Sequence, residues 1–175
     1  MAYFSKFTGN QIDTILDEQY KSPLQDVIGD DYTTSSRLSM VAGTEYSFVC
    51  NGNVRNFTNL PDHVTSLWHT TNNICVPSEL LDTPVLVFTV RFTFNPTVAA
   101  AGIVTLHPYV NETVPVEFKP VNVPYKASEA RVSALVTIYL GEETGFDVKN
   151  KGVFFKVSTS GAGELYDPNI EIYKT

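Results

Sequence analysis

The sequence predicts an all-β domain: a jelly-roll β-sandwich preceded by a short N-terminal helical arm. Three observations predict it. The carboxy-terminal third, residues 131–175, reads as strand, acidic Gly-bearing turn, strand, Gly-rich turn and strand, with β-branched and aromatic residues packed between Gly, Asn, Asp and Pro. Residues 85–94, VLVFTVRFTF, alternate with a period of two and put Leu86, Phe88, Val90, Phe92 and Phe94 on one wholly apolar face. Helical periodicity is almost confined to the first forty residues. The final strand, around residues 170–173, is expected to pair inside a sheet, because a bare edge at a terminus frays.

The elements follow in chain order. Residues 1–38 read as an anchoring arm and residues 39–175 as the jelly-roll domain. In the arm, Thr8 and Gln11 have capping-box spacing, and Ile12, Ile15, Leu16 and Tyr20 fall at i, i+3, i+4 and i+8 on one helix face. Pro23 ends that helix. Three turns of helix are marginal alone. The stripe, with Phe7 ahead of it, is therefore a candidate anchoring surface. Residues 25–38 are polar and turn-rich, which suits a tether.

Beyond the arm the pattern becomes strands and turns. Residues 45–50 read as a strand closed by the turn dipeptide Asn51-Gly52. An irregular stretch follows from 53 to 79, rich in Asn and Thr. Asn56, Trp68, His69, Asn72 and Asn73 are its candidate ligand or interface residues, since amide and aromatic side chains suit sugar contacts, although Trp68 also reads as an anchor of the loop against the sandwich. After the strand at 85–94 comes one at 103–110, interrupted by Pro108 and so expected as an edge strand or a bulge. A weaker strand covers 117–123. A long one, 131–140, turns Val132, Ala134, Val136, Ile138 and Leu140 inward. Seven or eight strands in all favour a jelly roll.

Composition narrows the function. The chain has 175 residues, 43% of them hydrophobic, and a net charge of −7. That length fits one domain with an arm. The acidic balance, with Lys and Arg scattered singly, argues against a nucleic-acid partner. No run approaches a membrane span, and residues 1–6 lack the features of a secretory signal. The chain is thus expected to be made in a cytoplasm, and its two Asn-x-Thr sequons are read as accidental. Cys50 and Cys75 lie 25 residues apart and are expected as free buried thiols, with a disulfide as the alternative.

Candidate chemistry is sparse. His63, His69 and His107 lack an Asp or Glu at metal-motif spacing. The acidic clusters 29–31 and 141–147 read as solvated turns. No Gly-x-Ser-x-Gly elbow and no phosphate-cradling Gly loop before a helix occur. No cofactor and no enzymatic activity are expected.

Two stretches carry a resemblance. Phe7-Thr8-Gly9-Asn10-Gln11-Ile12-Asp13 resembles the short arm that begins many head-fibre, decoration and tail-associated proteins of tailed bacteriophages. The stretch from Leu80 through Tyr139-Leu140-Gly141 to Phe154-Phe155 resembles the jelly-roll heads of such virion proteins. The resemblance implies a homotrimer of tumour-necrosis-factor-like jelly rolls. It implies an arm that fixes each copy to the major capsid protein or another virion protein. The leading expectation is a structural virion protein decorating or projecting from the capsid. The alternative is the receptor-binding head of a tail fibre gripping a host surface glycan or protein. A lectin-like module outside any virus is a third.

Overall fold

The computed structural model describes residues 23–80, 85–140 and 147–174. Two antiparallel sheets face one another and form the predicted jelly-roll sandwich. The first contains β1 (Gln25–Ile28), β2 (Leu38–Met40), β4 (Val54–Asn56), β7 (Val85–Pro96), β11 (Ala130–Tyr139) and β13 (Gly163–Lys174), in the order β11-β7-β13-β1-β4 with β2 paired to β13. The second contains β3 (Tyr46–Ser47), β5 (Trp68–His69), β6 (Ile74–Cys75), β8 (Gly102–Val110), β9 (Val116–Glu117), β10 (Val121–Tyr125) and β12 (Val153–Thr159). Its order is β10-β8-β12-β6-β5, with β3 on β12 and β9 on β8.

Period-two patterning builds the core. The predicted inward face of β7, Leu86 to Phe94, is fully buried, and the even-numbered residues of β11 from Val132 to Ile138 join it. Across the gap stand Val104 and Leu106 of β8 and Val153, Phe155 and Val157 of β12. Aromatic rings lock the two layers. Phe88 meets Phe155 edge-on at 5.3 Å, and Phe48 of the second layer meets Phe92 at 5.6 Å. The last strand pairs on both sides, with β7 and with β1, as a strand ending a domain requires.

Three expectations need correction. Residues 25–38 are not a tether. β1 lies inside the first sheet, Gln25 opposite Ile172 on one side and opposite Asn56 on the other. The segment reads as polar, yet Leu24, Gln25 and Val27 are fully buried. Gln25 is accommodated because Oε1 accepts from the Leu67 and Trp68 backbone N–H groups at 2.9 Å each, while Nε2 donates to Asn56 Oδ1 and Ser66 Oγ. Gln25→Leu would strand those two N–H groups. It is expected to lower stability by about 2 kcal/mol, read as a lower urea midpoint at unchanged slope.

The second correction concerns Pro108. β8 is an interior strand, paired with β12 on one side and with β10 and then β9 on the other. Pro108 falls where the β10 pairing has ended at Leu106 and the β9 pairing has yet to begin at Tyr109. Its carbonyl accepts from Phe118 N in the β9–β10 connection, so its missing N–H faces a gap in the ladder. The expected strand at 117–123 is accordingly two strands, β9 and β10.

The third is small. Residues 141–146 of the acidic cluster lie outside the described residues; before β12 the chain forms a one-turn helix that the sequence did not suggest, α1 (Val148–Lys151), capped by Asp147, whose Oδ1 accepts from Asn150 N. Gly152 follows at φ +84, where a Cβ would lie 2.5 Å from the Cys75 carbonyl oxygen. Cys50 and Cys75 are free and buried, and burial pushes both thiols up, away from reactivity.

Candidate assembly face

The outward side of the first sheet departs from the polar-out rule. Pairing places Tyr139 beside Val85, Thr137 beside Val87 and Val87 beside Tyr173, while Leu135 stands opposite Thr89. Leu135 is 62% exposed and Tyr139 60% exposed. Together these residues line a shallow groove of about 520 Å³. A smaller groove of about 200 Å³ opens round the free edge of β11, between Val136–Tyr139 and Pro108, Phe118 and Lys119. A large aliphatic and a tyrosine held clear of the sheet, above apolar neighbours, form the kind of patch that marks a contact surface.

A polar band borders the apolar end. Arg91 pairs with Glu171, and Tyr173 donates its hydroxyl to Glu171 at 2.6 Å. Burial, then that hydrogen bond, pushes the Tyr173 phenol up to about 12. Asp26, only 6% exposed, accepts from the Arg55 guanidinium and from the Asn169 amide. The hydrogen bond to Asp26 raises the Arg55 guanidinium above its ordinary range. Burial lowers Arg131, which donates to the Asp167 carbonyl at 2.8 Å. The polar groups of this band are thus paired within the chain.

The residues singled out from sequence fare differently. Phe7, Ile12, Ile15, Leu16 and Tyr20 lie outside the described residues. Trp68 is not a surface ring: it is 1% exposed, donates Nε1–H to the Cys50 carbonyl at 2.8 Å and stacks on Phe155 at 6.4 Å. It anchors the loop and leaves nothing for a ligand. Asn73, at φ 53, shapes the β5–β6 turn and accepts from Cys50 N at 2.7 Å. Asn56 is spent on Gln25 and on the Thr65 carbonyl. His69 and Asn72 are exposed at the turn. His69, Asn72 and Asn73 thus share the β5–β6 turn, while Trp68 and Asn73 both bond the Cys50 backbone. Among the described residues no group of three or more His, Cys, Asp or Glu stands ready for a metal, and no helix is long and apolar enough to cross a membrane.

The outward Leu135–Tyr139 row was not among the residues singled out from the sequence, though its signal was present. Leu135 and Tyr139 are large apolar residues on the outward alternation of β11, where Arg131 and Ser133 set a polar pattern.

No protein-family model matches the chain, and no curated protein matches it. Among solved structures it is similar to the globular domain of zebrafish complement 1qA protein, at 12% identity and a TM-score of 0.44, covering 88% of this chain and 100% of that one.

Proposed function

We propose that this chain is a structural virion protein of a tailed phage, assembling as a trimer through the outward face of β11, β7 and β13. Residues 1–22 attach it to the major capsid protein or another particle protein. The observation that carries the reading is the exposed Leu135–Tyr139 row over Val85, Val87 and Tyr173, which the described residues of one sandwich leave uncovered. The chain enters the sheet at the pole where β13 ends, since Gln25 pairs with Ile172. An anchoring segment there leaves the opposite pole pointing away from the particle, and three copies multiply weak arm contacts.

Deleting residues 1–22 tests the anchor. Pro23 and Leu24 stay, because both are buried in the sandwich. The truncated protein is expected to keep its melting temperature and oligomeric mass, but to stay in the supernatant when particles stripped of it are pelleted. Equal pelleting of intact and truncated protein overturns the anchoring role.

A second reading, the receptor-binding head of a tail fibre, draws on that opposite pole. There the loops 41–44, 97–101 and 160–162 are tied together by Gly43 N to Thr159 O and Thr97 N to Ala162 O. They hold no charged residue and expose Val41 and Val98 at 62% and 66%. Such a tip suits an apolar patch on a host surface protein. Antibody labelling of particles separates the two readings: label over the capsid favours the first, and label at the tail favours the second.

A further inference from the structure

The outward side of the second sheet carries a cluster that the assembly reading does not use. His107 of β8 stands between Glu117 of β9 and Ser158 of β12. Its Nδ1 lies 2.6 Å from Glu117 Oε1, and its Nε2 lies 2.8 Å from Ser158 Oγ. The imidazole is 13% exposed, so three strands hold it in place. With Nδ1–H donating to the carboxylate, Nε2 presents its lone pair to the serine hydroxyl. General-base activation of a serine requires that arrangement, which is recognised by geometry and not by chain order.

The surroundings complete a small site. Glu45 Oε1 lies 3.9 Å from Nδ1, and Glu45 Oε2 accepts from Tyr109 and Lys156 at 3.1 and 3.3 Å. Thr105, opposite Ser158, donates to Asn122 Oδ1 at 2.9 Å, which leaves the amide N–H groups of Asn122 for a ligand. The Lys156 ammonium lies 4.8 Å from the centroid of the Tyr109 ring, which stacks on Phe154 at 5.3 Å.

We propose that Ser158 is a nucleophile toward small activated esters, with His107 as its base and Glu117 as a positioning residue. Ser158 Oγ bonds to the acyl carbon as its proton passes to His107 Nε2. The bond from acyl carbon to leaving oxygen breaks, and that oxygen takes the proton. Water then attacks the acyl-serine, gives its proton to Nε2 and releases the carboxylic acid, restoring the hydroxyl.

A biotinylated fluorophosphonate tests this on the full chain, since Ser158 Oγ would displace fluoride at phosphorus. The expected result is one adduct, located on Ser158 by peptide mass spectrometry, absent in Ser158→Ala and formed on the order of 100-fold more slowly in His107→Gln. In Glu117→Gln the pH profile of labelling is expected to shift while the melting temperature holds. Should His107→Gln fail to fold, the intact protein decides. A labelling rate that rises and levels off with the loss of one proton supports the site, and a rate that simply follows hydroxide overturns it. No adduct on Ser158, or equal labelling of a folded His107→Gln, also overturns it. Either outcome leaves the assembly reading untouched.

Discussion

Phe92→Ala is expected to destabilise the domain by roughly 3–5 kcal/mol. Phe92 has no exposure, sits at the middle of β7 and holds its ring 5.6 Å from Phe48 of the opposite layer. Both layers are fixed by long ladders, so the void cannot close by simple collapse. Thr93, the next residue, points to the other face, between Arg131 and Tyr166. Thr93→Ala is expected to cost well under about 1 kcal/mol, as changes outside the core do. Urea titration of both variants at one protein concentration checks the pair, since mass action would otherwise enter through any oligomer. Equal losses would mean that the core face of β7 has been misassigned.

Leu135→Glu combined with Tyr139→Glu is expected to abolish self-association while leaving the sandwich folded. Both side chains are more than half exposed in the single chain, so the folded monomer tolerates charge there. Against a neighbouring copy the same carboxylates would be taken out of water without a partner, which costs several kcal/mol in an apolar seam. A cyclic trimer repeats that cost at each of its contacts. Size-exclusion elution should move to the monomer position, with circular dichroism unchanged. A variant that still elutes with the wild type would place the contact elsewhere, for example at the loops of the far pole.

The strands that were legible in the sequence were those whose side chains obey one rule along their whole length. β7 and β11 alternate without a break from Leu86 to Phe94 and from Val132 to Leu140, and their core faces were readable directly. β1 was not, because its inward positions include Gln25. A polar residue can sit in a core only when partners from distant chain segments meet it, here Leu67 and Trp68, and local pattern carries no record of such partners. Pro108 misled for a related reason. A proline is barred from a ladder only where its N–H is needed, and the break between β9 and β10 is set by pairing and not by composition. Trp68 was legible as an anchor but not as a fully enclosed one. The cluster of His107, Glu117 and Ser158 was invisible for the simplest reason: His107 and Ser158 are 51 residues apart and meet only through the register of β8 with β12.

The central claim, that the outward face of β11, β7 and β13 joins three copies, is tested most directly by light scattering on the purified chain at micromolar concentration. The expected molar mass is about 58 kDa, three times the 19.4 kDa of one chain. A mass of 19.4 kDa that persists as the concentration is raised would contradict it.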